Sequence, residues 1–495
     1  MHPYYITLII FLLPFFGESQ PLVRGKYLEK DSVIRDINLL EQALTEIHPG
    51  YYRYQTEADL AIAFDNLRDQ LPDPVSEAEL MKRMAQTTAL IRCGHTYLNP
   101  WNMQEDLRSR LFDHPIYLPL CFRVLDGDLI VTRSVSEAGP IQRGARIRSI
   151  NGIPVPDILD SLRTIARYDG SNDAPVDHYL SLSVMDPGSY EAFDLYFPLF
   201  FPMSKPEFRL EYQAFEKKEI QTTVIPAMDK QERADAMARR YPAFPRDSVS
   251  WEVDISDPKA AYLQLGTFVT WHWEGFQPAE WLASAFAKIN NSGAENLILD
   301  IRGNAGGLTD IGFELISYLT PDPIPCSGKG KTLIRTHKIS EELAPYADTW
   351  VDIIFEGLPE RMYSRYNDYW LELKEPGGCR TIEPKENRFR GEVYILGDAS
   401  NVSATFTLLQ YAKKNGFATY VGEASGGNLQ GINGGEYIFF RLPYTNMEVD
   451  LPLKYFYPGE ERPDAGVEPD VEVRWTREDV ARGRDPQLAW VLEKL

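Results

Sequence analysis

The chain has 495 residues, of which 44% are hydrophobic and 25% charged, and carries a formal net charge of -21. That length holds roughly two to four domains and a large core, so no disulfide or metal staple is needed for stability. The acidic balance excludes a nucleic-acid surface, which needs clustered Lys and Arg, and electrostatic binding to anionic lipid.

Residues 1–19 read as a signal peptide. Tyr4 to Phe16 is an almost unbroken apolar run, interrupted by Pro14 and followed by Gly17, Glu18 and Ser19 before a polar chain starts near Gln20. The run is too short for a comfortable membrane span and no other run approaches that length, so the expectation is an exported protein, periplasmic or secreted, with no stable span after signal removal. Cys93, Cys121, Cys326 and Cys379 suit an oxidising compartment, show no metal-type spacing, and leave their pairing open.

Residues 25–112 read as an N-terminal helical cap. Asp31 to His48 carries Ile34, Ile37, Leu40, Leu44 and Ile47 at helical spacing and stops at Pro49 and Gly50. A second helix is predicted over Glu57 to Leu71, and Ser76 with Glu79 makes a capping box for a third that reaches Cys93. The cap ends in the short motif Cys93, Gly94, His95, Thr96.

Residues 113–225 change to short alternating strands. Leu129 to Thr132, a turn at Gly144, Ala145 to Ile150, a corner at Asn151 and Gly152, and a helix from Pro156 together resemble a PDZ domain, whose open sheet edge takes a peptide as an added strand. The usual carboxylate-binding loop is not evident. Residues 226–256 are polar, charged and Pro-punctuated, and read as a linker.

Residues 257–495 read as an α/β core. Ala260 to Val269 is a strand, Pro278 to Ile289 a helix, and Asn296 to Ile301 a buried strand that runs into Arg302, Asn304, Gly306 and Gly307. The glycines let backbone N–H groups approach a ligand, but the loop fits neither a P-loop nor a dinucleotide fingerprint. Residues 340–390 insert an aromatic-rich segment, with Trp350, Tyr363, Tyr369 and Trp370, that reads equally as a lid over a cleft or a packed insertion. A second βα unit follows in Gly391 to Asn428: a strand at Val393 to Leu396, a break at Gly397 and Asp398, and a helix bearing Ala404, Leu408, Leu409 and Ala412 on one face. Ser403 stands at its start, where helix dipole and free N–H groups converge; taken alone it reads as an N-cap, as do Ser400 and Asn401. Gln430 to Tyr444, rich in glycine, reads as a hairpin beside this loop.

Taken together, the strand with its RGNAGG loop, SNVSATF, VGEASGGN and GVEPDVEV, in this order behind a cap ending in GHT and a PDZ-like insert, resemble the S41 serine peptidases, the family of the carboxyl-terminal processing proteases and the tricorn core. The resemblance implies an α/β core of the S41 type, ClpP/crotonase-like, with a helical cap and an inserted PDZ-like β domain. It also implies Ser403 as nucleophile and the N–H groups of Gly306 and Ala404 as oxyanion hole, with Gly307 the alternative donor. Arg302 and Asn304 shape the loop.

The general base separates two branches. Bacterial-type processing proteases pair the serine with a lysine where this chain has Asn428, and Lys413 and Lys414 lie at the far end of the helix, so a Ser and Lys dyad is excluded there. The tricorn-like branch uses a histidine, and His95 aligns with it, although Gly94 replaces that branch's serine and Thr96 is the nearest hydroxyl. The orienting carboxylate is expected among Glu460, Glu461 and Asp464, with Glu461 favoured by its distance downstream of Ser403. The other histidines, His48 and His272 among them, read as structural or surface residues. The expected protein is an exported serine peptidase acting on peptide or unfolded-protein substrates, with no nucleic acid, cofactor or metal. The competing expectation is a non-catalytic protein binding peptides or hydrophobic small molecules on the same scaffold, and an esterase using the same triad is a third.

Overall fold

The structure is a computed structural model that describes residues 21–23, 25–136, 141–183, 190–241, 251–326, 328–374 and 381–495. The expected signal peptide, 1–19, lies outside the described residues. Asn296–Asp300 is apolar at most positions because it is buried on both faces, the condition of a strand inside a parallel sheet. It lies between Ala260–Leu265 and Glu392–Gly397, both parallel to it, in a six-stranded sheet that continues through Thr419–Gly422 to Val471–Glu472. Trp251–Asp254 closes the other edge antiparallel. The helices Pro278–Ser292, Thr309–Leu319 and Ser403–Asn415 connect these strands. The last ends at Gly416, whose left-handed φ of 65° frees its N–H to bond Ala412 O at 2.8 Å, with Lys413 and Lys414 in the final turn.

A second, antiparallel sheet pairs Ile432–Arg441 with Glu448–Tyr457 and takes in Lys331–Ile334 and, from the aromatic insertion, Leu371–Leu373 and Tyr363–Arg365. It also receives Tyr97–Leu98, placing Leu98 opposite Val449 and Tyr97 opposite Asp450. The end of the cap is therefore stitched to the core. Part of 340–390 packs on the rest of the chain: Trp370 Nε1 donates to Pro49 O at 2.7 Å, and the Arg335 guanidinium lies 3.9 Å from the Tyr369 ring centroid. Trp350 differs, standing exposed over Tyr437 and Phe439.

The cap helices are Lys30–Ile47, Glu57–Asp69 and Glu77–Ala89. Ser76 accepts from Glu79 N at 3.1 Å, but the Glu79 carboxylate turns to Lys82 and Arg83, so only half of the expected box forms. The β-rich region forms a third sheet in the order Leu120–Leu125, Asp128–Ser134, Arg146–Ile150, Glu207–Gln213 and Ile220–Pro226, all antiparallel. Cap helices, this sheet and the second sheet bury one continuous core that includes Ile37, Phe64, Leu129 and Val449. The boundary expected at 113 crosses that core.

The stretch read as a linker contains the helix Lys230–Arg240, opened by a complete capping box between Asp229 and Glu232. Its charge hides a buried ion pair. Arg233, 1% exposed, grips Asp194 through two bonds of 2.9 and 2.5 Å. No helix among the described residues is long and apolar enough to cross a membrane. Because Asp194→Ala leaves a buried guanidinium without its carboxylate, urea unfolding is expected to show a loss of about 3–5 kcal/mol; a loss below about 1 kcal/mol would contradict the structural importance given to this pair.

Candidate active site

Ser403 is the first residue of its helix and sits at φ 54°, a left-handed conformation that costs a non-glycine residue on the order of 1–3 kcal/mol. Val402 is the cap residue and the Ser403 hydroxyl takes no part in capping. The other capping candidates are committed elsewhere: Ser400 Oγ bonds Asp398, and Asn401 Nδ2 donates to Ile301 O at 2.6 Å and Asn304 O at 3.1 Å. Ser403 thus presents its hydroxyl on a sharp strand-to-helix turn.

The glycine-rich loop backs that turn. Asn304, fully buried, donates to Leu265 O at 2.8 Å, accepts the Gly306 N–H at 2.9 Å, and takes the Thr405 hydroxyl on its carbonyl at 2.9 Å. A Cβ on Gly306 would lie 2.9 Å from both Ala404 N and Ser403 Cβ. Asn304 occupies the Gly306 N–H, whereas the N–H groups of Gly307 and Ala404, like those of Ala305, Val402 and Ser403, have no acceptor among the described residues. Arg302 is held away from Ser403 by Asp300 and Asp485.

His95 arrives from the cap. Arg92 turns left-handed at φ 55°, a tight turn brings Thr96 N to Cys93 O at 3.2 Å, and Tyr97–Leu98 then enters the second sheet. Beneath it lies His48, whose Nδ1 accepts the Gly50 N–H at 3.0 Å, so its proton is on Nε2 and donates to Thr96 Oγ1 at 2.8 Å. Burial pushes the His48 pKa down to about 3, which keeps it neutral. The Thr96 hydroxyl is therefore part of the motif's support.

Gly434 packs on the His95 ring, a Cβ there lying 3.4 Å from Nε2. Burial lowers the His95 pKa below its ordinary 6.5, the Asp169 carboxylate opposes that shift, and Arg167 adds to it. Asp169, in the loop after the helix Val155–Arg163, escaped sequence reading because no motif marks it. It is buried and accepts the Gly94 N–H at 3.0 Å. A side chain at Gly94 would place Cβ 3.0 Å from Asp169 Oδ2, which explains why glycine suits this position here. Donor atoms of Cys93, His95 and Asp169 lie within 4.8 Å of one another, a set able to hold a metal ion.

Of the carboxylates expected to orient His95, Glu460 pairs with Arg462 at 2.9 Å and Glu461 is exposed. Asp464 accepts from Ser171 N at 2.9 Å and from Asn428 Nδ2 at 2.5 Å. Asn428 is fully buried and also donates to Asp169 O at 3.0 Å, so the residue at the processing-protease lysine position braces the Asp169 loop. The carboxylate set against His95 is Asp169. Ser403, Gly306, Gly307, His95 and Asp169 all line one cleft of about 3510 Å³. No hydrogen bond joins Ser403 to His95 among the described residues, and catalytic contacts of this kind often tighten only with substrate.

The fold has solved relatives. Mature CPAF complexed with lactacystin superposes with a TM-score of 0.63 at 15% identity, over 94% of this chain and 97% of that one. A crystal structure of mature CPAF alone gives 0.59 at 16%, over 94% and 96%. The tricorn protease gives 0.37 at 12%, over 94% of this chain and 36% of that one. No curated protein matches the chain by sequence. Residues 259–473 match the model of peptidase family S41. Over these residues the chain is similar to the S41 serine peptidases. The matched residues contain both Gly306 and Ser403, while His95 and Asp169 lie before them.

The close approach at Gly306 has a direct test. Gly306→Ala pushes a methyl group against Ser403 and Ala404, so peptide cleavage is expected to fall about 100-fold or more, the scale of losing one oxyanion-hole donor. Cleavage at the wild-type rate by a folded Gly306→Ala enzyme would contradict the packing described.

Proposed function

We propose that the chain is an exported serine peptidase of the S41 type, which hydrolyses peptide bonds in peptide or unfolded-protein substrates through an acyl-enzyme on Ser403. The observation that carries this reading is the shared cleft, which is lined by the half-buried serine turn, by the glycine loop and by a histidine whose pKa is lowered by burial. His95 takes the Ser403 proton as Oγ attacks the scissile carbonyl, and returns it to the leaving amine. The Gly307 and Ala404 N–H groups receive the developing oxyanion; Gly306, expected as a donor, serves instead as the contact that shapes the turn. Asp169 takes the orienting role expected of Glu461, because its carboxylate is the one that acts on the His95 ring. Export is supported by the apolar run in 1–19 and by Cys326, which is disulfide-bonded, a state that persists in oxidising compartments.

Mass spectrometry of products from a peptide library and an unfolded protein tests the mechanism. Cleavage by wild type is expected to disappear in Ser403→Ala and to drop by about 100-fold or more in His95→Ala. If wild type leaves every substrate as intact as both variants do, the non-catalytic binding reading takes its place.

The pH profile separates the two carboxylates. Activity needs neutral His95, so its acid limb falls below pH 6.5. The Asp169 charge raises the His95 pKa; Asp169→Asn is therefore expected to move the limb to lower pH and reduce kcat, while Glu461→Gln leaves the limb in place. A limb that moves only in Glu461→Gln would return the orienting role to Glu461.

A further inference from the structure

The floor of the cleft beside His95 holds an unusual donor set. Cys93 and His95 belong to one turn, and Asp169 is tied to the same turn through Gly94. A thiol, an imidazole and a carboxylate gather within 4.8 Å, and His95 Nδ1 is buried with no hydrogen-bond partner among the described residues. An orphaned ring nitrogen next to a thiol and a carboxylate is a site awaiting a ligand.

We propose that Cys93, His95 and Asp169 form an inhibitory binding site for a soft divalent cation of the zinc class. Thiolate and imidazole favour zinc over magnesium or calcium, which take oxygen ligands. Tetrahedral zinc brings its ligand atoms to about 3.3–3.6 Å of one another, so the three donors close by about 1 Å through side-chain torsions. The cleft, lined by His95 and Asp169, supplies water for the fourth position. Binding exchanges the Cys93 S–H bond for a sulfur–metal bond and releases one proton to solvent, with no change of oxidation state. Because the ligand is the thiolate, protons compete with the cation for the sulfur.

The inhibitory consequence rests on His95 as general base; the binding itself does not. A metal on one ring nitrogen fixes the proton on the other, which leaves no lone pair to accept the proton of Ser403.

Cobalt(II) titration of the full chain carrying Ser403→Ala tests binding without reference to activity. The expected result is a thiolate-to-cobalt charge-transfer band that saturates at one cobalt per chain, is displaced by zinc chloride, and is absent when Cys93→Ala is added, although the free thiol of Cys121 remains. No band, or one that survives Cys93→Ala, overturns the site. In the wild type, zinc chloride is expected to stop peptide cleavage and a chelator to restore it, while Cys93→Ala, measured against its own zinc-free rate, needs at least about 10-fold more zinc for the same fractional inhibition. Equal zinc sensitivity in the two enzymes overturns the inhibitory role. Cleavage by wild type with no cobalt band removes the metal site and leaves the peptidase mechanism standing; a cobalt band in a chain that cleaves nothing does the reverse.

Discussion

Ser403 holds a left-handed backbone at the start of its helix because Gly306 has no side chain to obstruct it. The strained turn lies against the glycine loop with 2.9 Å between an imagined Gly306 Cβ and the Ser403 Cβ, so any larger residue would drive the two apart. Buried amides hold the pair in register: Asn304 ties the loop to Leu265, and Asn401 and Thr405 tie the serine turn to the loop. Hydrogen bonds between fully buried groups resist displacement because water offers no substitute inside the core. The parallel sheet carries both loops at the carboxyl ends of adjacent strands, which is where such chemistry is placed in α/β folds.

The second half of the site depends on contacts between distant parts of the chain. His95 is fixed by a two-residue strand that pairs with Glu448–Tyr457 and by His48 beneath Thr96. Asp169 is fixed by Gly94 on one side and, through its carbonyl, by Asn428 on the other. Both braces are buried, so the cleft gains a histidine whose neutrality follows from desolvation. Its Nδ1 is buried without a partner among the described residues, and the cation site proposed above exploits that gap.

The glycine loop and the serine turn were legible in the sequence because each is a local pattern: an apolar strand, a breaker, a helix start. The three cap helices were legible for the same reason, with ends shifted by a few residues. Asp169 was not, since it acquires its meaning only when the loop after Val155–Arg163 folds back on Gly94. Spacing from Ser403 favours Glu461, and that the residue is exposed is visible only in the folded chain. The helix Lys230–Arg240 looked like a linker because charged residues read as solvated, whereas Arg233 is buried against Asp194. Gly306 was expected to donate its N–H, and the competing acceptor, Asn304 Oδ1, is visible only in the folded loop.

The central claim is that Ser403 is a nucleophile activated by His95. Intact-protein and peptide mass spectrometry after reaction with a fluorophosphonate, which forms a covalent bond with activated serines, tests it most directly. A single adduct on Ser403, absent in Ser403→Ala and formed far more slowly in His95→Ala, is the predicted result. An adduct on another residue, or labelling of Ser403 at an unchanged rate without His95, would contradict it.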